Sequence, residues 1–400
     1  MSHEKRSFSR LIIGIARVAI ALSLAVMIVA SSMVSGFRET ISEKIYGFWG
    51  HVNISKQSLR SSYDDLPMPL DTAFMDWAQQ QPNIANVQVY ARKAGIIKTR
   101  GNLEGMILKG ISTDFYWKSF SQYLIAGQPI QFNKEGASGD MLLSKSMATR
   151  LNLQVGDSAI LHFIDQTEDG NFSQRYRKLK VSGIYNTGLE EFDKLFVLAD
   201  IKHIQRLNNW GPNEVGGYEI FADSPDQIEV VYEAVNYESD PFWSVQTVYE
   251  LIPGIFDWLN LQKVNERIIL ILMFVVAVIN MITSLLILIL ERTNMIGTLK
   301  AMGAGNGSIQ SIFLINAAHI ICWGMLMGDA LGLGICYLQQ TFGIIRLPEE
   351  SYYVSVAPVS IHYLDILFMN LATIVISLLF LILPSRLVAR IHPVKAIRFS

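Results

Sequence analysis

Cysteine is almost absent: Cys322 and Cys336 are the only two in 400 residues. Both fall in one apolar stretch, about 21 Å apart along a helix rising 1.5 Å per residue, too far to pair within it. No disulfide staples the rest of the chain, which has to rest on an apolar core. An excess of charge is missing as well. The formal net charge is -2, which offers a nucleic-acid backbone no basic surface. Catalytic constellations are equally scarce. The histidines are scattered, and Ser144 and Ser146 have no His and Asp arrangement beside them. Glu190, Glu191 and Asp193 have no histidine or fourth ligand at a matching spacing, so they read as an acidic turn rather than a metal or acid-base site.

The glycine-rich stretch ERTNMIGTLKAMGAGNGS, residues 291–308, also lacks what a nucleotide site needs. A Walker-type loop ends in lysine and a hydroxyl residue, because these meet the outer phosphates and magnesium. No lysine follows these glycines, and no buried strand precedes them. A dinucleotide fold is excluded because the glycines sit between apolar spans. The chain is read as having no cofactor of its own.

What it has in abundance is apolar sequence, half of all residues. Four segments pass the criterion of roughly 18 apolar residues without charge: 18–36, 268–290, 309–338 and 366–383. Basic residues set the orientation, since they resist translocation. Lys5, Arg6 and Arg10 precede the first span, Arg292 and Lys300 lie between the second and third, and Arg386, Arg390, Lys395 and Arg398 form the tail. Only Arg346, against Glu349 and Glu350, lies between the third and fourth. Both termini are therefore expected in the cytoplasm and residues 37–267 outside it. A cleaved signal peptide is the alternative for the first span, although its apolar run exceeds the usual length of about 7 to 15 residues.

The outside segment alternates signals. Residues 51–55, 85–99 and 104–111 are rich in β-branched and alternating residues and predict strands. Asp71 predicts a helix N-cap before Phe74, Trp77 and Ala78. Residues 142–164 predict a helix with an apolar face at Met147, Leu151 and Leu153, a turn at VGD, then a strand. The polar run 165–178 reads as a protruding hairpin, either a solvated loop or a contact arm for a soluble partner. A helix capped by Asp200 follows. From residue 255 nothing breaks the helical pattern into the second span, and Pro253 and Gly254 can bend its start. The sum is an α+β domain.

Within the spans, Gly324, Gly328 and Gly332 share one helix face and permit close approach of a second helix, in this chain or another. His319 falls near mid-membrane, where hydrogen bonding to another helix is the expected role against a proton-relay site. Asp329 is expected at the outer interface. Between spans two and three, Met295, Leu299 and Met302, with Ile296 beside them, make a short amphipathic helix that ends at Gly303. It can lie flat in the headgroups or dock in a groove of a cytoplasmic partner.

ERTNMIGTLKAMGA followed by SIQSIFLINAA, the glycine-spaced third span, LPEESYYVSVAPVSIHYLDIL (347–367) and PSRLVARIHPVKAIRF (384–399) resemble the lipoprotein-releasing ABC permeases, the LolC and LolE family. That family belongs to a superfamily with the MacB exporters and FtsX. Residues 14–55 and VSGIYNTGLEEFDKLFVL (181–198) also look like it.

The resemblance implies an α-helical membrane protein with four transmembrane helices and a large α+β extracytoplasmic domain inserted between the first and second. It implies an N-terminal segment with the first helix at 1–36, a periplasmic MacB-like domain with a helical stalk at 37–267, and an FtsX-like permease domain at 268–400. It places the chain in the inner membrane as a permease subunit, not itself an enzyme, that releases lipoproteins to a periplasmic chaperone. ATP and magnesium would be bound by a separate cytoplasmic ATPase, met by a coupling helix at 294–303 through Asn294, Met295, Ile296, Leu299, Lys300, Met302 and Gly303. Asn294 stands where the family often has an acidic residue. The hairpin, with Gln166, Phe172, Gln174, Arg175 and Arg177, stands where one permease type contacts the chaperone. Leu24, Met27, Ile28, Phe274 and Val278 are the candidate lining of an acyl-chain groove. A second copy or a sister permease would complete the complex, in contact with membrane lipids and without nucleic acid. A MacB-like exporter and an FtsX-like regulator of cell-wall hydrolases are the alternatives.

Overall fold

The computed structural model describes residues 2–57, 63–99, 101–166 and 172–385. The basic tail and the hairpin tip at 167–171 lie outside the described residues.

In chain order, α1 (Ser2–Trp49) leads into β1 (Val52–Lys56), β2 (Met68–Pro69), α2 (Thr72–Gln79), β3 (Ile84–Lys98), β4 (Leu103–Ile111), α3 (Trp117–Phe120) and β5 (Leu124–Gly127). Next come β6 (Asp140–Ser144), α4 (Lys145–Leu151), β7 (Ser158–Gln166), β8 (Phe172–Tyr185), α5 (Glu190–Asp193), β9 (Phe196–Asp200) and α6 (Lys202–Asn208). β10 (Glu214–Val215), β11 (Gly217–Ala222), α7 (Ile228–Glu238), β12 (Trp243–Thr247) and α8 (Val248–Leu251) complete this region. The rest is helical: α9 (Pro253–Glu291), α10 (Thr293–Ala301), α11 (Asn306–Phe342), α12 (Glu349–Tyr352) and α13 (Tyr363–Ser385).

These elements form two units. One comprises Ile41–Asp257 with Pro348–Ser355, the other Met1–Thr40, Trp258–Leu347 and Val356–Ser400. The first unit is α+β, and its strands run in the order β12-β1-β11-β3-β4-β9-β6-β8-β5. β7 pairs with both β3 and β8, so β3, β4, β9, β6, β8 and β7 close on themselves. The 15-residue length of β3 explains this. Its first half pairs with β11 in an open sheet, and its second half pairs with β4 and β7 in the closed ring. Closure removes edges that would otherwise invite further strand pairing.

Local chemistry sets the ends of several elements. Asp71 caps α2, its Oδ1 accepting from the Phe74 N–H at 2.9 Å, which satisfies one of the orphan donors of a helix start. Phe74 and Ala78 are buried while Trp77 is only partly so. Ser144 caps α4, and Asn152 in the left-handed region ends it. Leu153 therefore lies beyond the helix, where its sequence spacing had placed it on the helical face. Asp200 ends β9, and its carboxylate accepts from the N–H groups of Lys202 and Ser138. The acidic run is a turn: Asp193 is buried and accepts from Thr187 Oγ1 at 2.9 Å and Gly188 N at 3.0 Å.

The second unit holds the apolar lengths of four helices long and apolar enough to cross a membrane, found among the described residues. They outrun the apolar windows read from sequence. α1 continues to Trp49 and α11 runs through Phe342, because charge stops a hydropathy window and does not stop a helix. α9 runs unbroken from Pro253, a residue suited to a first helical turn because its missing N–H costs nothing there. The core of this unit contains Ile20, Leu24, Met27 and Ile28 of α1, Met281 and Leu285 of α9, Ile296 of α10, Phe313 and Ile321 of α11, and Leu381 of α13.

Candidate functional site

The glycine stripe of α11 lies on α1. A Cβ at Gly324 would stand 2.9 Å from the Cβ of Ile20, at Gly328 2.8 Å from the Ala21 carbonyl, and at Gly332 3.0 Å from the Cβ of Ile28. Three missing side chains therefore let two helix backbones touch. Leu24, Met27 and Ile28, candidates for the groove lining, are fully enclosed by this contact and by the bundle core. Val278 is buried and Phe274 packs partly against the same core. The apolar surface that α1 and α9 leave open is carried by Leu22 and Val26, and by Ile271, Val275 and Ile279.

Several polar groups in this unit find partners within it, some on the same helix and some on another. His319, expected to bond to another helix, instead has Trp323 as its partner, one turn along α11, whose Nε1 donates to His319 Nε2 at 3.1 Å. Residues four apart share a helix face. Asp329 accepts from Asn370 Nδ2 of α13 at 3.0 Å, and Ser31 donates to Glu266 at 2.6 Å. Gln339 was not singled out from sequence. It is buried near the end of α11, donates to the carbonyls of Ile345 and Ala357, and accepts from the Ile345 N–H. An uncharged amide near the end of a long apolar helix is the signal that could have marked it, because a buried amide must find such partners.

α10 presents two faces. Ile296 is fully buried, Gly297 is buried and Leu299 packs on the bundle core. Met295 is 41% and Met302 71% exposed. Equal spacing had grouped Met295 with Leu299 and Met302; the helix turns Ile296 inward instead and leaves both methionines outward. Asn294 is exposed and its carbonyl accepts from Thr298 Oγ1. Gly303 follows with φ +94°, and the N–H groups of Met302, Gly303 and Ala304 return to the carbonyls of Thr298, Lys300 and Leu299. A left-handed glycine of this kind closes a helix and redirects the chain.

The hairpin pairs β7 with β8 from Ser158↔Lys180 to Gln166↔Phe172. Its register sorts the predicted residues. Gln174 lies on the face of Ile160, His162, Ile164 and Tyr176, and its side chain meets His162 Nδ1 at 3.0 Å. Ile164 and Tyr176 are 54% and 68% exposed there. Arg175 and Arg177 alternate onto the opposite face, as strand geometry requires. Arg175 Nη1 closes the end of α6, reaching the Leu207 carbonyl at 2.6 Å and Asn209 Oδ1 at 3.0 Å. Burial, then the nearby Arg175 and Arg206, lowers the Arg177 guanidinium from its ordinary value. Among the described residues of this arm, Tyr176 and Ile164 are the most exposed apolar side chains, and neither is among the contact residues expected from the sequence.

Residues 14–236 match the MacB-like periplasmic core domain, and residues 267–393 match the FtsX-like permease C-terminal domain. The lipoprotein-releasing system transmembrane protein LolC of Xylella fastidiosa is 23% identical over 392 residues, covering 95% of this chain and 92% of the relative. The corresponding LolE of Haemophilus influenzae is 22% identical over 412 residues, covering 98% and 96%. The periplasmic region of MacB from Actinobacillus actinomycetemcomitans aligns with 53% of this chain and 95% of its own, with 14% identity and a TM-score of 0.36.

Proposed function

The chain belongs to the MacB-like periplasmic core family and carries an FtsX-like permease domain at its C-terminal end, and from that membership we propose that it is the permease subunit of an ABC transporter that releases lipoproteins from the inner membrane. The observation that carries this reading is a match to relatives named for lipoprotein release over 95% or more of the chain, with both domains included. ATP is bound and hydrolysed by a separate cytoplasmic subunit, which docks on the outward methionines of α10, with Asn294 and Lys300 at their flanks. Both termini lie in the cytoplasm and the α+β domain in the periplasm. A sister permease or second copy completes the complex.

The energetics fit a driven process. Each buried CH₂ of an acyl chain is worth about 0.8 kcal/mol, so extracting one long chain costs on the order of 10 kcal/mol. Leu24, Met27 and Ile28 line an acyl groove only after the α1 and α11 contact opens, whereas Leu22, Val26, Ile271 and Val275 meet lipid as the bundle stands. The exposed face of the hairpin, with Gln174 and Tyr176, receives a periplasmic lipoprotein chaperone.

Depletion of the protein tests the reading: lipoproteins destined for the outer membrane should accumulate in the inner membrane, and correct sorting would contradict it. A photocrosslinker in place of Tyr176 should capture a lipoprotein chaperone. Capture of an outer-membrane channel would support an exporter, and capture of a cell-wall hydrolase would support a regulator.

A further inference from the structure

α1 ends inside the α+β unit in an unusual way. Its last two residues, Phe48 and Trp49, are buried among aromatic rings, Phe192 stacked on Phe48 at 5.6 Å and Phe196 edge-on to Trp49 at 5.3 Å. Gly50, at φ +71°, closes the helix. The final carbonyls of a helix lack intrahelical partners and carry its negative dipole end. Here two side chains take them. Lys109 Nζ donates to the Phe48 carbonyl at 2.5 Å, and Asn53 Nδ2 donates to the Trp49 carbonyl at 2.8 Å. The Lys109 ammonium also sits 4.5 Å from the Phe48 ring and 5.2 Å from the Trp49 ring.

Lys109 projects from β4 and is completely buried, as is its partner Glu219 on β11, 2.7 Å away. Gln88 of β3, the strand between them, donates to the other Glu219 oxygen at 2.7 Å and accepts from the Tyr116 N–H. Arg92 of β3, paired with Asp65, lies over the Trp49 ring at 5.6 Å. Burial lowers the Lys109 pKa from its ordinary value, and Glu219 opposes that shift.

A buried ion pair is a poor way to add stability, because desolvation cancels most of its attraction and an apolar pair of the same shape serves as well or better. Aromatic packing alone would hold the end of α1. What the ammonium adds is direction: a helix end resting on rings can rotate or slide, whereas a carbonyl gripped by a fixed cation cannot.

We propose that Lys109 is a positioning residue of the transport cycle, gripping the C-terminal carbonyl of α1, so that movement of this helix passes to the sheet without slack. The proposal rests on the reading of the chain as an ATP-driven permease. Glu219 and Gln88 hold the ammonium in place, and Asn53 supplies a second, neutral contact that does not depend on the ion pair.

The test uses the full chain in nanodiscs with its ATPase, in a background with Cys322 and Cys336 replaced by alanine. Spin labels are placed at Glu43 on α1 and Leu103 at the start of β4, both exposed. The double variant Lys109→Met with Glu219→Gln removes both charges and keeps the shape. It should fold, assemble and hydrolyse ATP as the parent does, while its Glu43 to Leu103 distance distribution broadens. ATP-driven cargo release should fall by about tenfold, the size of effect that loss of one coupling element produces. A distribution as narrow as the parent's overturns the proposal, and so does a broad one with undiminished release. Glu219→Gln alone, which loosens the hold on the ammonium and leaves both side chains in place, should broaden the distribution less. Asn53→Leu, which spares the ion pair, should keep it narrow; broadening equal to that of the double variant would assign the anchor to general packing and overturn the role of Lys109. The distance readout needs neither ATP nor cargo. An error in the assigned function would appear as absent release in the parent protein with the distance still narrow, and is thereby distinguished from failure of the anchor.

Discussion

Gly36 of α1 lies directly under the backbone of Pro358: a Cβ on the glycine would stand 2.6 Å from the Pro358 carbonyl oxygen and 2.8 Å from the Ser360 nitrogen. Ser360 N–H donates to the Ser32 carbonyl at 2.9 Å, so the segment before α13 straps across α1 where that helix has no side chain. Backbone cannot yield as a flexible side chain can. Gly36→Leu should therefore cost roughly 1–3 kcal/mol, the usual range for overpacking, or more. Thermal unfolding of the full chain in detergent measures this. Gly334→Ala is the control, since a Cβ there meets nothing within 4 Å. It should be neutral or stabilising by up to about 1 kcal/mol.

A second glycine governs the α+β unit. Gly188 adopts φ +74°, and a Cβ on it would run into Lys44 Nζ, Glu349 Oε1 and the Tyr353 carbonyl. Those groups belong to the contact that seats residues 348–355: Lys44 donates to the Tyr353 carbonyl at 2.7 Å, and Asn186 donates to Glu349 at 3.3 Å. Gly188→Ala is strained by its backbone and crowded by its neighbours. It should unseat the segment and raise chymotryptic cleavage after Tyr352 and Tyr353 severalfold, about what loss of a local contact of 1 kcal/mol gives. An unchanged cleavage rate would show that the segment is held elsewhere.

His51 gives a pH dependence with a definite sign. It is buried, its Nδ1 accepts from the Ala222 N–H at 3.0 Å, and burial lowers its pKa to about 4. The unfolded chain binds this proton near 6.5. The stability that neutral His51 permits is therefore fully present above about pH 6.5 and is lost as pH falls toward 4, by about 3 kcal/mol in all. Nuclear magnetic resonance of labelled imidazoles should show, still neutral at pH 5, a histidine signal that is absent from the spectrum of His51→Gln. Titration of His51 with an ordinary midpoint would contradict its burial.

Much of the architecture is legible in the sequence because it rests on composition and period. Four apolar helices follow from uninterrupted hydrophobic runs, and the strand at 84–98 follows from its β-branched alternation. What is not legible is decided by partners far along the chain. Lys109, inside EGMILKGI, carries no local sign of its burial, and nothing near it announces Glu219. Ile296 and Met295 are adjacent apolar residues, and the packing of the neighbouring helices decides which one turns inward. The groove candidates Leu24, Met27 and Ile28 look like lipid-facing residues by composition, and the glycines of α11 are what enclose them. Arg175 and Arg177 read as members of one contact surface with Gln174, until the β7 and β8 register separates them.

α10 offers a comparison between neighbours. Met302 is exposed and Ile296 is fully buried. Met302→Asp should leave unfolding within about 0.5 kcal/mol of the parent, as surface changes do, while the ATPase no longer co-purifies. Ile296→Asp should instead destabilise the bundle by several kcal/mol, about what an unpaired buried charge costs. Recovery of the ATPase with Met302→Asp at the parent's level would remove the docking role from this helix.

Release of acylated cargo by a permease driven from another polypeptide is open to direct measurement. The most direct measurement is reconstitution of the purified chain, with its partner permease and ATPase, in liposomes carrying a fluorescent triacylated lipoprotein, with the periplasmic chaperone added outside. Lipoprotein should leave the membrane for the soluble fraction only when ATP, the ATPase and the chaperone are all present, and Met302→Asp should abolish this. Lipoprotein that stays in the liposomes under the complete conditions, or that leaves equally well without ATP, would contradict that expectation.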